Sequence, residues 1–165
     1  MQKAKFWLPL PQYFTAVGRV SRLQYLLHSL ILFVAFIAFS RIANLAGQSL
    51  IEGRGHLIAA TATTLITSYV YFCLDAKRVH DLKWPAAIVA IMIAEPVIFS
   101  LMNLVFSYAE FHPPAGIGGM LILSRFWRYG AGIIGLILLF IPGNKGQNKY
   151  GPDPLQPPAP PIDVF

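Results

Sequence analysis

The 165-residue chain contains a single cysteine, Cys73. One cysteine excludes a disulfide framework within the chain, and without a second cysteine nearby it predicts no thiolate metal site. Charge is also scarce, because Asp, Glu, Lys and Arg together make up only 12% of the residues. The histidines are too widely dispersed for a metal-ligand motif, since they lie at positions 28, 56, 80 and 112.

Motifs of common enzyme chemistry are missing as well. The glycines at 116–119 are followed by no Gly-Lys-Ser/Thr and preceded by no strand pattern, and no nucleophile elbow occurs. The 13 Lys and Arg residues outnumber the 7 acids, but they lie scattered at the ends of apolar runs, which argues against a nucleic-acid partner. The sequence therefore predicts no catalytic residue, no cofactor and no metal ion.

Apolar residues dominate instead. They make up 56% of the chain, whose mean hydropathy is +0.58, above the level of an ordinary soluble domain. Because about 20 apolar residues cross a bilayer, the pattern predicts an all-α polytopic membrane protein with four transmembrane helices. The predicted spans, all within residues 23–141, are 23–46, 57–74, 85–106 and 120–141.

The ends of the chain differ from these spans. Residues 1–22 mix aromatic and cationic side chains, which predicts a segment at the membrane interface, with Ser21 as N-cap of the first helix. Residues 142–165 form a tail rich in Gly and Pro. Nine of the 13 cations lie in the N-terminal segment, in residues 75–84 and in the tail. The positive-inside rule then places both termini in the cytoplasm.

The segment 75–84, DAKRVHDLKW, concentrates charge between the second and third apolar runs. One interpretation is a solvated loop on the cytoplasmic side. The other is that the segment folds back on the N-terminal arginines to hold a lipid phosphate or an acidic group of a partner. The adjacent His80 and Asp81 also suggest an acid/base pair, although no nucleophile accompanies them. The residues of this predicted polar cluster are Arg19, Arg22, Arg78, His80, Asp81 and Asn148.

Glu95 lies in the middle of the third apolar run, where a carboxylate is costly. Pro96 beside it frees the carbonyl of Met92 from its helical bond, so a kink and a polar pocket are predicted together. By its depth, Glu95 is level with Thr64 of the second run. One outcome is a neutral Glu95 that donates to a threonine hydroxyl. The other is a proton or cation pathway that uses Glu95 with Thr64, Thr61 and Thr67.

Three separated motifs carry a family resemblance: YFTAVGRVSRLQY at 13–25, AKRVHD at 76–81 and PGNKGQNKYGPDP at 142–154. In this order they resemble a family of small bacterial inner-membrane proteins classed as a domain of unknown function, DUF805. The resemblance implies a multi-span helical protein of the bacterial inner (plasma) membrane with no assigned activity. In that family the His-Asp pair leads into a glycine-containing turn before a tryptophan, whereas here Leu82 and Lys83 separate Asp81 from Trp84.

The three motifs would meet at one membrane face. We therefore expect a cytoplasmic cluster in which Asp81 pairs with Arg19 or Arg22 and the tail packs over it. The leading functional prediction is a non-enzymatic membrane module that binds anionic lipid headgroups or a membrane-protein partner. The alternative is a small transporter or channel subunit with Glu95 in an ion pathway. The small residues Ala131 and Gly135, four apart, suit either internal helix packing or a homo-oligomer.

Overall fold

The computed structural model describes residues 7–48, 55–109 and 117–156. The described chain is helical, which confirms the all-α prediction, and its only β pairing is one isolated bridge in the tail. Residues 1–6 of the interfacial segment and the proline-rich end, 157–165, lie outside the described residues. The elements are a short 3-10 helix, Leu10–Phe14, and four α-helices: α1, Arg22–Gln48; α2, Gly55–Asp81; α3, Ala87–Tyr108; and α4, Ile117–Phe140.

Three stretches of helix are long and apolar enough to cross a membrane: Arg22–Gly47, Gly55–Asp81 and Ala87–Tyr108. Many of their large apolar side chains, such as Phe33 in α1, are exposed. Contiguous apolar surface of this kind marks contact with a membrane or a partner. Within the part of α4 whose side chains are described, the apolar helix Tyr129–Phe140 is shorter than a span. The structure therefore supports a helical membrane protein with three compatible spans.

The start of α1 is defined by a reciprocal pair of side-chain hydrogen bonds. The backbone N–H of Gln24 donates to Ser21 Oγ at 3.4 Å, and the backbone N–H of Ser21 donates to Gln24 Oε1 at 3.0 Å. This capping box satisfies donors that the first turn of a helix leaves unpaired. The sequence prediction of Ser21 as N-cap is confirmed.

The tightest packing lies at one end of the helices. The start of α1, the end of α2, the start of α3 and the end of α4 contribute the buried apolar core here, with α2 in contact with all the other helices. The segment 7–21 and the tail 141–156 cover this end, which we call the capped end. Its core residues are Val20, Tyr25, Leu74, Val79, Leu82, Val89 and Leu138.

Helix α2 continues to Asp81, so most of the predicted charged loop is helix. The helix ends in a Schellman motif, in which Trp84 N–H donates to Val79 O at 2.9 Å and Lys83 N–H donates to His80 O at 3.1 Å. Lys83 takes the left-handed position of this motif, with φ of 65°. Glycine usually occupies that position because it has no Cβ to strain.

Substituting Lys83→Gly should therefore stabilise the protein. We expect the free energy of unfolding to rise by about 0.5 to 1 kcal/mol, because the left-handed strain relieved exceeds the chain entropy that glycine adds to the unfolded state. Denaturant titration followed by circular dichroism measures the change. The control Lys83→Ala removes the same charge but keeps a Cβ, so an equal gain in both variants would contradict the backbone explanation.

Candidate functional site

A buried ionic cluster of Arg19, Arg78 and Asp81 lies at the centre of the capped end. Asp81 Oδ1 accepts from Arg19 Nε at 2.9 Å and from Nη2 at 2.7 Å, and Asp81 Oδ2 accepts from Arg78 Nη1 at 2.6 Å. Arg78 is 0% exposed and Asp81 is 3% exposed. The solvated-loop interpretation of segment 75–84 is therefore wrong at this position, because these side chains are withdrawn from water.

Helix periodicity and topology together build this ionic cluster. Arg78 and Asp81 are three residues apart on α2, so their side chains share one face of the helix. Arg19 precedes α1 by three residues and reaches the same carboxylate from the neighbouring chain segment. The pairing partner of Asp81 from the N-terminal segment is thus Arg19. Arg22, the alternative partner that the sequence predicts, is exposed.

Arg78 also caps the end of α4. Its Nε donates to Leu138 O at 2.8 Å, and its Nη2 donates to Ile141 O. The last carbonyls of a helix have no partner within the helix, and they carry the negative end of its dipole. The guanidinium group satisfies both needs and so joins the C-terminal ends of α2 and α4.

Arg19 holds the tail in a corresponding way. Its Nη1 donates to Gly146 O at 2.6 Å and to Gly151 O at 3.3 Å, and its Nη2 donates to Asn144 O. The guanidinium donors of Arg19 are therefore taken up by Asp81 and by three tail carbonyls. A cation that is satisfied in this way has no donor left for an external phosphate.

The tail makes further contacts with the end of α2. Asn144 N–H donates to Asp81 O at 2.9 Å, and Asn148 Nδ2 donates to His80 O at 3.0 Å. The ring of Tyr150 stacks on the His80 imidazole with a centroid distance of 3.8 Å and an interplanar angle of 8°. No described hydrogen bond joins His80 to Asp81, whose two carboxylate oxygens accept from Arg19 and Arg78.

Asp153 closes the tail into a compact loop. Its Oδ1 accepts from Leu155 N–H at 2.9 Å and its Oδ2 accepts from Gly146 N–H at 2.8 Å. These two backbone donors stabilise the ionised carboxylate and lower the pKa of Asp153 below its usual range. The tail is thus held to itself by Asp153 and to α2 by Arg19 and Asn148.

The N-terminal segment is fastened to α1 and α2. Lys77 Nζ donates to Gln12 O, and the Tyr69 hydroxyl donates to Phe14 O at 2.8 Å. Buried His28 joins the same segment to α1, since its Nε2 accepts from Leu8 N–H at 3.4 Å. The proton of a neutral imidazole then lies on Nδ1, which contacts the Tyr13 hydroxyl.

The second predicted site consists of Glu95, Thr64 and Thr61. Unlike the residues of the ionic cluster, which join separate segments of the chain, Thr64 makes its hydrogen bond within its own helix. Thr64 Oγ1 donates to Ala60 O of its own helix at 2.9 Å, and Thr61 is buried in α2. Pro96 lies inside α3, which continues past it to Tyr108, and Trp127 Nε1 of α4 donates to Met92 O at 3.3 Å. The Met92 carbonyl, which lies four residues before the proline, is therefore satisfied by a neighbouring helix.

A cavity of about 500 Å³ lies between the four helices. Its described lining includes Thr64 and Pro96 but neither Glu95 nor Thr61. One side of it carries Asp75, whose Oδ1 accepts from the Tyr25 hydroxyl at 2.9 Å. Sequence reasoning counted Asp75 with the charged segment and missed this role, because Tyr25 lies 50 residues away in the chain.

A family model described as "Protein of unknown function (DUF805)" matches residues 13–152. Searches of curated proteins and of solved structures gave no match. Among the described residues, no group of three or more His, Cys, Asp or Glu side chains is placed to hold a metal ion.

Proposed function

Because this chain belongs to the DUF805 family of proteins of unknown function, and its helices are those of a membrane protein, we propose that it is a non-enzymatic four-span module of the bacterial inner membrane that binds anionic lipid headgroups at its capped end. The observation that carries the proposal is a set of exposed cations at the rim of that end. They are Arg22, Lys83, Lys145 and Lys149.

The rim cations suit lipid phosphate better than the buried arginines do. The guanidinium groups of Arg19 and Arg78 donate to Asp81 and to backbone carbonyls, and they are shielded from solvent. Exposed Lys and Arg side chains near a membrane surface can instead reach the headgroups, each contributing about 1 kcal/mol. The sequence predicts headgroup contacts for the whole polar cluster. We therefore propose them only for the exposed cations at the rim of the capped end.

The position of the tail supports a fourth crossing and a cytoplasmic capped end. The tail follows α4 and bonds to the end of α2, while the segment that precedes α1 covers the same end. Four helices that cross in alternating directions bring all these parts to one side. The concentration of cations there agrees with the positive-inside rule.

Removing the rim cations should reduce retention of anionic lipid. The test compares wild type with the variant Arg22→Gln/Lys83→Gln/Lys145→Gln/Lys149→Gln after extraction from bilayers of mixed zwitterionic and anionic lipid. Native mass spectrometry measures the bound lipid. We expect about fivefold weaker binding of anionic lipid for each cation that contacts a headgroup.

The control is Arg41→Gln, which removes an exposed cation from the other half of α1. Equal loss in the control and in the rim variant would indicate a general charge effect and contradict the proposal. Retention of a protein partner in place of lipid, lost in the rim variant only, would instead show that the rim binds an acidic protein surface.

A further inference from the structure

The cavity between the helices has the size and lining of a site for a small organic molecule. Its volume of about 500 Å³ lies within the range of known ligand pockets, about 300 to 1,000 Å³. Its surface is mostly apolar, and α4 contributes the small residues Ala131, Gly132 and Gly135. Because these residues have short side chains or none, they leave space that larger residues would fill.

A carboxylate without a cationic partner lines this cavity. Asp75 accepts one hydrogen bond, from Tyr25 to Oδ1, and no described residue donates to its Oδ2. Arg19 and Arg78 both pair with Asp81, and Arg78 also donates to Leu138 O of α4. Asp75 is therefore an acid of the capped end to which no described side chain supplies a cationic partner.

We propose that this cavity binds a small lipophilic organic cation, such as a protonated alkylamine or arylalkylamine, with Asp75 as its counterion. The ammonium group would donate to Asp75 Oδ2 while the Tyr25 hydroxyl keeps the carboxylate oriented. The apolar part of the ligand would lie against the walls formed by α3 and α4. This site is distinct from the cationic rim proposed for anionic lipid, and it selects the opposite charge.

The chemistry of the lining disfavours an anionic headgroup and a divalent metal ion as occupants. An anionic headgroup would be repelled by Asp75 and would meet no cation inside the cavity among the described residues. A divalent metal ion prefers several oxygen ligands, and the described chain offers one carboxylate here. A neutral acyl chain would fit the walls, but its binding would not depend on Asp75. The charge dependence of binding therefore identifies the occupant.

Three probes that share one apolar body test the charge dependence: 4-phenylbutylamine, 4-phenylbutanol and 4-phenylbutyrate. Binding to the full-length protein in detergent is measured by ligand-observed saturation-transfer NMR with titration. We expect the amine to bind wild type about tenfold more tightly than the alcohol, as for a hydrogen bond to a charged group, and the carboxylate to bind most weakly. In Asp75→Asn, which keeps the shape and the acceptor for Tyr25, the advantage of the amine should disappear.

A second variant tests the location without touching the carboxylate. A Cβ at Gly132 would meet nothing within 4 Å, so Gly132→Leu can fill the cavity without a backbone clash, and we expect it to abolish amine binding. Gly130→Leu is the matched control, because Gly130 has equal space and does not line the cavity. Equal binding of amine and alcohol to wild type, or unchanged amine binding in Gly132→Leu, would overturn the proposal.

Discussion

Replacing Asp81 by alanine should lower the free energy of unfolding by about 3 to 5 kcal/mol, because it leaves two buried arginines without their counterion. Arg19 and Arg78 both donate to this carboxylate, and their side chains are 1% and 0% exposed. The substitution would also release the tail, because Arg19, which pairs with Asp81, donates to the carbonyls of the tail. Denaturant titration in detergent, followed by far-ultraviolet circular dichroism, measures the loss.

The control for Asp81→Ala is Arg22→Ala, which removes an exposed arginine three residues beyond Arg19. Surface changes of this kind usually stay within about 0.5 kcal/mol. In a double-mutant cycle, the double variant Asp81→Ala/Arg19→Ala should lose less free energy of unfolding than the sum of the two single losses, because the two residues share one interaction. Additive losses, or an equal effect of Arg22→Ala, would contradict the assignment of Arg19 as the partner.

Gly143→Ala should also destabilise the protein strongly. The tail backbone at Gly143 passes directly over the Asp81 carboxylate, and an added Cβ would overlap Oδ2 and Cγ of that group. Overpacking of a buried site costs about 1 to 3 kcal/mol, and here the atoms that must move belong to the ionic cluster. We expect a loss near the upper end of that range, together with faster proteolysis of the tail.

The same substitution on α4 provides the comparison for Gly143→Ala. Gly130→Ala adds a Cβ where nothing lies within 4 Å, and it replaces a glycine inside a helix. It should therefore raise the free energy of unfolding, by up to about 1 kcal/mol. If Gly143→Ala were equally harmless, the tail would not lie as close to Asp81 as the structure places it.

Asp81→Ala and Gly143→Ala affect the same contact, the one between the tail and the Asp81 carboxylate. Asp81→Ala removes the charge that compensates the arginines, and Gly143→Ala obstructs the approach of the tail to that charge. Loss of the tail would also displace Lys145 and Lys149 from the rim. Lipid retention by the Asp81 and Gly143 variants should therefore fall together with stability, whereas substitution of the rim cations should reduce retention with little loss of stability.

Several features followed from the sequence because they depend on local composition. Long apolar runs leave an α-helix as the way to satisfy backbone hydrogen bonds in lipid, so the helical class was predictable. Ser21 with Gln24 three residues later marked the start of α1. The Met92 carbonyl, which Pro96 frees from its helical bond, was expected to need a partner, although the indole of Trp127 was not identified as that partner.

The charged segment shows where local composition misleads. A run of Lys, Arg, His and Asp is typical of a solvated loop, yet α2 continues through Asp81 and buries Lys77, Arg78 and Asp81. Besides the Arg78–Asp81 pair within α2, these side chains contact groups far away in the chain, such as Arg19 or the carbonyls at the end of α4. Solvation is decided by those distant partners, which are not visible in a local stretch of sequence.

The sequence by itself determined the helical class, the family and the motifs that supply the polar residues of the capped end. Only the tertiary structure decided that Arg19 rather than Arg22 pairs with Asp81, and that Asp75 faces a cavity instead of a cation. The physical reason is that pairing and burial depend on distances of a few ångströms between separate helices. Residue types restrict which contacts are favourable, and the packing of the helices selects among them.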